Sequence, residues 1–136
     1  MKKDQVITAQ TEKSPGEFAK SLGEVLQKNG FIVNNEANMN MAQAFQAHGA
    51  DVAPGFDLHM IQICKPDKAA KSLSANPERA ILMPKFVMVF SRDGKTQIRF
   101  LRYSAEDIRG VVDDEVFPGS LAETYTKIGS MIEEAR

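Results

Sequence analysis

Residues 85–103 read KFVMVFSRDGKTQIRFLRY, and this stretch predicts a β-hairpin. Two strand-like segments, residues 85–92 and 95–103, flank the dipeptide Asp93-Gly94. Asp-Gly supplies the positive φ angles that a tight two-residue turn requires. The sheet of this protein therefore contains at least one tight antiparallel pair.

Upstream of the hairpin, alternating or apolar segments at residues 4–11, 31–33 and 56–64 predict three further strands. Helix signals lie between them. Ser14 is a good N-cap, Pro15 suits the first helical position, Glu17 completes a capping box, and Gly30 ends the helix. Asn40 and Pro66 each open a shorter helix.

Downstream of the hairpin, residues 120–123 (Ser-Leu-Ala-Glu) form a second capping box and predict the start of a last helix. Residues 113–115 are three consecutive carboxylates, which we interpret as a solvated acidic loop. The resulting order is β-α-β-α-β-α-β-β followed by a terminal helix. It predicts one domain over residues 1–136, an α+β two-layer sandwich whose sheet is mixed but mostly antiparallel, with the helices packed mainly on one face.

Composition excludes several classes of protein. Seventeen basic and eighteen acidic residues leave a net charge of −1, so we expect neither a nucleic-acid partner nor a membrane partner. The N-terminus lacks the apolar run of a signal peptide, which predicts a cytoplasmic protein. Cys64 is the only cysteine, so an intrachain disulfide and a cysteine-rich zinc site are both excluded.

Two segments carry a family resemblance. Residues 63–73 (ICKPDKAAKSL) and 76–90 (NPERAILMPKFVMVF) resemble the "Cys-Asn-Pro, then an Ala-rich helix" and "Leu-Leu-Pro-Cys, then an apolar strand" segments of the domain-of-unknown-function 302 (DUF302) family. The resemblance covers roughly residues 5–135. It implies a compact α+β fold and a homodimer, and no activity. Lys65 stands where the family usually has asparagine, and Lys85 stands where it usually has a second cysteine.

Cys64 is the first candidate for chemistry. It ends a predicted strand just before the helix that Pro66 opens, where backbone N–H groups and the helix dipole stabilise a thiolate. Lys65 and Lys85 would add to that effect if they lie nearby. The alternative interpretation is that Cys64 is a small buried hydrophobe on the strand face of Leu58 and Met60.

His48 and His59 are the only histidines, and a Cys–His pair needs one of them beside Cys64. His59 is predicted to face away from Cys64 along its strand, whereas the position of His48 stays open. Each is also interpretable as a structural histidine. We assign no catalytic residue, no metal ligand and no cofactor from the sequence, which does not decide whether the protein is an enzyme.

Three functional hypotheses follow. The first is a homodimeric small-molecule-binding module, with a small anionic molecule as the candidate ligand. The second is a redox sensor or enzyme that depends on Cys64. The third is a structural or partner-binding protein that offers residues 95–103 as an exposed strand edge.

The position of Lys85 in the structure would distinguish the first two hypotheses from a purely structural interpretation. If the two family segments meet in space, the Lys85 ammonium lies near Cys64 and near the helix that begins at Pro66. A cation there is unfavourable unless an anion joins it, either the Cys64 thiolate or a bound ligand. Alternatively, Lys85 extends its amine to solvent over apolar surface.

Overall fold

The predicted hairpin forms the middle of the sheet in the computed structural model, which describes residues 2–136. Strands β4 (Phe86–Arg92) and β5 (Lys95–Leu101) pair antiparallel. Asp93 and Gly94 take φ angles of 54° and 75° at the turn between them. Both central residues thus have the positive φ that the Asp-Gly dipeptide predicted.

The sheet has five strands in the order β1-β5-β4-β3-β2. The three others are β1 (Val6–Thr11), β2 (Ile32–Val33) and β3 (Leu58–Cys64). Every described strand pair is antiparallel, which confirms the predicted α+β fold but corrects the expectation of a mixed sheet. Because β5 is paired on both sides, the hypothesis of an exposed strand edge at residues 95–103 is wrong.

One face of the sheet carries the core. Helices α1 (Pro15–Lys28) and α5 (Phe117–Ala135) contribute their apolar faces to this core, as the sandwich prediction required. The strand residues that are completely or almost completely buried there are Ile61, Val87, Val89, Ile98 and Phe100. Burying each such side chain contributes about 1.5–3 kcal/mol. The alternate residues of the same strands, on the other face, are all at least partly exposed.

The shorter α-helices are α2 (Met41–Ala47), α3 (Pro66–Ala75) and α4 (Ala105–Arg109). Short 3-10 helices span Lys3–Gln5, Glu36–Asn38 and Pro77–Leu82. The side chain of Asn40 caps α2 by accepting from the Gln43 N–H, as expected. Helix α4 lies in the segment that the sequence pattern left unassigned. Within residues 2–136, no helix combines the length and the apolar character needed to cross a membrane.

The start of α5 corrects two predictions. The helix begins at Phe117 rather than at Ser120, because the Asp114 carboxylate accepts from the N–H groups of Val116 and Phe117 at 2.9 and 2.8 Å. Asp114 is also not part of a solvated loop. Its side chain is 6% exposed and pairs with Arg79 at 2.7 Å. Asp114, which pairs with the sequence-distant Arg79, therefore caps α5 in place of the predicted capping box at residues 120–123.

Candidate functional site

The two segments that flank the β3–β4 pairing come together at one end of the sheet. The N–H of Ile63 donates to the carbonyl oxygen of Lys85 at 2.9 Å, one residue beyond the last pair of the strand register. Cys64, the next residue of β3, and Lys85 consequently line the same cavity. The backbone of the sheet, rather than a side-chain contact, sets this juxtaposition.

The cavity has a volume of about 190 Å³ and lies between that end of the sheet, α3 and the first half of α5. Three lysines line it, Lys65, Lys68 and Lys85, and so does Cys64. Among the described residues that line it, none carries a carboxylate. Its apolar walls include Phe31, Ile63, Leu73, Met83, Phe117 and Leu121.

Lys85 lines this cavity and is largely buried. Its Nζ donates to the carbonyl oxygen of Met83 at 2.9 Å. Burial lowers the pKa of Lys85, and the nearby positive charge of Lys68 lowers it further, whereas a negative charge on Cys64 acts in the opposite direction. The amine is therefore held in a place where its charged form is unfavourable.

Lys68 reaches the cavity from the first turn of α3. Its Nζ donates to Thr124 Oγ1 at 2.8 Å, and that hydroxyl in turn donates to the carbonyl oxygen of Ser120. Burial lowers the pKa of Lys68, and the positive charges of Lys127 and Lys65 add to the effect, while Glu123 opposes it. A second amine of the cavity is thus also destabilised as a cation.

Lys65 is the N-cap residue of α3 and makes no capping hydrogen bond with its side chain. Its Nζ lies 5.1 Å from the centroid of the Phe31 ring, over the ring face, and its stem passes close to Gly30. A cation over an aromatic face gains about 0.5–1 kcal/mol at an exposed site. This contact holds the third amine beside Phe31, another residue of the cavity lining.

Cys64 is a free thiol and is partly exposed. Its side chain lies on the sheet face opposite the buried Ile61 and Ile63, with Leu58 and Met60, as the strand periodicity predicted. Cys64 is thus neither fully buried nor fully exposed, and it is one of the residues that line the cavity.

Neither histidine lines this cavity. His48 is exposed at the C-terminal end of α2. His59 lies on the same strand face as Ile61, away from Cys64, and its Nδ1 is 3.3 Å from Asp57 Oδ1 without an aligned hydrogen bond. The five candidate residues thus divide into Cys64, Lys65 and Lys85, which the structure brings together, and two histidines, which it places elsewhere.

Sequence reasoning missed Lys68 and Thr124. Lys68 follows Lys65 by three residues, a spacing that places both on one face of a helix, so helical periodicity could have found it. Thr124 comes from α5, and no local signal connects it with α3. Only the packing of the two helices brings its hydroxyl within 2.8 Å of Lys68.

An ion pair fixes the wall that α5 contributes. Arg79 contacts Asp114 through two nitrogens, Nε at 2.7 Å and Nη2 at 3.1 Å, and its Nη1 donates to the carbonyl oxygen and the hydroxyl of Ser72 in α3. Its guanidinium also lies 5.4 Å from the centroid of the Phe117 ring. The bond from Arg79 is the main cause that holds the pKa of Asp114 well below its ordinary value. Arg79 thereby ties α3 to the start of α5.

No described group of three or more His, Cys, Asp or Glu side chains has an arrangement that suits a metal ion. The polar side chains of the cavity instead carry amines, hydroxyls, one thiol and the amides of Asn34 and Gln62. Protonated amines repel metal cations and attract anions, so the chemistry that this set favours is anion binding.

The chain is similar to known proteins over nearly its whole length. The family model described as "Domain of unknown function DUF302" matches residues 7–135. A crystal structure described as an uncharacterized conserved protein DUF302 from Bacillus stearothermophilus superposes with a TM-score of 0.78 at 20% sequence identity, over 96% of this chain and 98% of that one. At this identity the likeness shows a shared fold. No curated protein matches the chain.

Proposed function

The chain belongs to the DUF302 family, and from its cavity we propose that it is a small-molecule-binding module that takes a small organic anion. The observation that carries the proposal is that three lysines line one cavity whose described lining includes no carboxylate. Charged side chains are almost never buried unless they are paired. A bound anion supplies the missing partner.

The energetics of the amines support this proposal. Burial lowers the pKa of both Lys85 and Lys68, and neighbouring lysines lower each further. An anion between them reverses both effects, because it attracts each cation and screens their mutual repulsion. The apolar walls favour an organic anion over an inorganic one, since a hydrocarbon body would cover Leu73, Met83 and Leu121.

The proposal includes a homodimer, which the family resemblance implied. It is supported by two exposed aliphatic side chains, Ile81 at 69% and Val116 at 70% exposure. Ile81 follows Arg79 by two residues, and Val116 follows Asp114 by two residues. The ion pair between Arg79 and Asp114 therefore joins the two segments that carry the exposed side chains. Light scattering tests this part: a mass of 15.0 kDa at micromolar concentration would refute the dimer.

A thermal-shift screen of small carboxylates and phosphate tests the binding function. A ligand that binds only the folded state raises the unfolding midpoint by mass action. We expect stabilisation by carboxylates in the wild type, and its loss in a Lys68→Met, Lys85→Met double variant. Lys95→Met is the matched control, because it removes one positive charge from the exposed hairpin. Equal stabilisation of the wild type and the double variant would contradict the proposal.

A second candidate function is a reactive thiol at Cys64, in a redox sensor or an enzyme. The observation that favours it is that a partly exposed thiol and the buried Lys85 amine share one cavity. A nearby cation stabilises a thiolate, which is the reactive form. Alkylation of the native protein with iodoacetamide tests it. Labelling should be at least tenfold slower in Lys85→Met than in the wild type, and an unchanged rate would refute a role for the amine.

A further inference from the structure

Lys85 differs from the other lysines of the cavity in how its amine is held. Its Nζ has a single described hydrogen-bond partner, the Met83 carbonyl oxygen, two residues before it in the chain. The amine has no carboxylate partner within residues 2–136. Lys68, by contrast, donates to a hydroxyl that belongs to another helix. Lys85 therefore has donor capacity left over and a lone pair available whenever it is deprotonated.

The surroundings of Lys85 make its amine easier to deprotonate than that of a solvated lysine. Burial is the main cause that lowers its pKa, and the adjacent Lys68 cation adds to it. A desolvated lysine next to another cation is the usual arrangement of an amine that attacks carbonyl carbon. Cys64 is the one group that acts the other way, and only as a thiolate.

The two remaining amines suit the other end of a ligand. Lys65 lies over Phe31, and Lys68 projects from α3 close enough for the two positive charges to interact. A carboxylate carries two oxygens, which can accept from both cations at once. The cavity of about 190 Å³ is below the usual size range for drug-sized ligands, roughly 300–1,000 Å³, so its occupant has few heavy atoms.

We propose that the ligand is a small 2-oxo carboxylate that forms a reversible imine with Lys85 Nζ, while Lys65 and Lys68 hold its carboxylate. The proposal rests on the anion-binding function proposed above and names its ligand class. The lone pair of Nζ attacks the carbonyl carbon, and a proton moves from nitrogen to oxygen to give a carbinolamine. The carbinolamine then loses its hydroxyl with the second nitrogen proton as one water molecule. The product is a C=N bond, and no oxidant or reductant is required.

Reductive trapping tests the imine. The full-length protein is incubated with pyruvate and sodium cyanoborohydride, which reduces an imine to a stable secondary amine, and the labelled lysine is found by peptide mass spectrometry. We expect at least tenfold more label on Lys85 than on Lys95, an exposed lysine of the hairpin. Lys85→Arg keeps the positive charge without the nucleophile, so it should remove the label. The proposal would be overturned if the trapped pyruvate were spread evenly over the lysines. It would also be overturned if the Lys85→Arg variant were still labelled predominantly at one lysine.

A comparison of pyruvate with lactate tests imine formation and anion binding independently. Lactate carries a carboxylate but has a hydroxyl group in place of the carbonyl, so it can bind without forming an imine. If lactate and pyruvate both raise the unfolding midpoint and pyruvate leaves no label, the imine is refuted and anion binding stands. If neither molecule binds at millimolar concentration, both proposals fall. Selective labelling of Lys85 by pyruvate supports both.

Discussion

The N–H of Ile63 donates to the carbonyl oxygen of Lys85 at 2.9 Å, and this backbone bond fixes the two residues from which the site is built. Cys64 directly follows Ile63 on β3, and Lys85 directly precedes β4. Because the bond involves only main-chain atoms, it does not depend on the side chain of Lys85. A Lys85 variant therefore keeps the donor and the acceptor that pair the two strands.

Lys85→Met should stabilise the protein by about 1 kcal/mol at pH 7, because it replaces a buried cation without an anionic partner by an apolar chain of similar length. The gain should shrink as the pH rises. The folded-state pKa of Lys85 is lowered, so above it the unfolded state binds more protons and the stability of the wild type increases with pH. Urea unfolding at pH 7 and pH 10 measures both effects. Lys95→Met should change stability by less than about 0.5 kcal/mol.

Lys65→Met and Lys68→Met should each weaken the binding of lactate or pyruvate about tenfold, since a hydrogen bond to a charged group contributes about 1.5–3 kcal/mol. Affinity in the wild type should also fall as the pH rises through the lowered pKa of Lys68, because the neutral amine attracts an anion less strongly. Titration calorimetry at pH 7 and pH 10 measures these affinities. A pH-independent affinity would show that Lys68 does not hold the anion.

Asp114→Asn should lower the unfolding midpoint at neutral pH, because it removes the charge that pairs with Arg79 and weakens the cap of α5. The sign of the pH dependence follows from the depressed pKa of Asp114 in the folded state. Its stabilisation is complete above the unfolded pKa of about 3.9 and is lost as the pH falls further. Thermal unfolding at pH 7 and pH 3 should show a smaller difference between variant and wild type at pH 3.

Gly94→Ala should destabilise the protein by about 1–2 kcal/mol, because Gly94 has a φ of 75° and an L-residue is strained in that region. Gly16→Ala is the matched control. Gly16 lies in α1 without a positive φ, and an added Cβ there meets no atom within 4 Å, so this change should stabilise by about 0.5–1 kcal/mol. Urea unfolding of both variants measures the contrast. Similar effects at the two positions would contradict the assigned turn geometry.

Local signals explain what the sequence predicted well. The Asp93-Gly94 turn and the Ser14 cap each depend on residues within four positions of one another, and both appear where expected. The start of α5 was misplaced for the opposite reason. Its capping carboxylate, Asp114, is held by Arg79, 35 residues earlier in the chain, and no short motif encodes that pairing.

In the candidate site, too, some features could be predicted from short sequence segments, whereas others depend on contacts between distant residues. Cys64 and Lys85 were expected to meet because two family segments were recognised, and strand pairing brings them together. The wall that completes the cavity comes from α5, whose Thr124 is 56 residues from Lys68. Periodicity shows which face of α5 is apolar, but it does not show which other helix that face meets. Packing between distant helices was therefore the part that a single sequence could not supply.

The strand order also sets a sequence of events in folding. The β4–β5 hairpin closes over a two-residue turn and can form within microseconds. β1, at residues 6–11, pairs with the other side of β5, at residues 95–101. The long intervening segment must lose conformational entropy before the contacts between these two strands form. We expect β1 to dock last and to detach first, so its amide protons should exchange with deuterated solvent sooner than those of β4. The sheet would then open from its β1 edge inward, while the β3–β4 end that holds the lysine cavity stays closed.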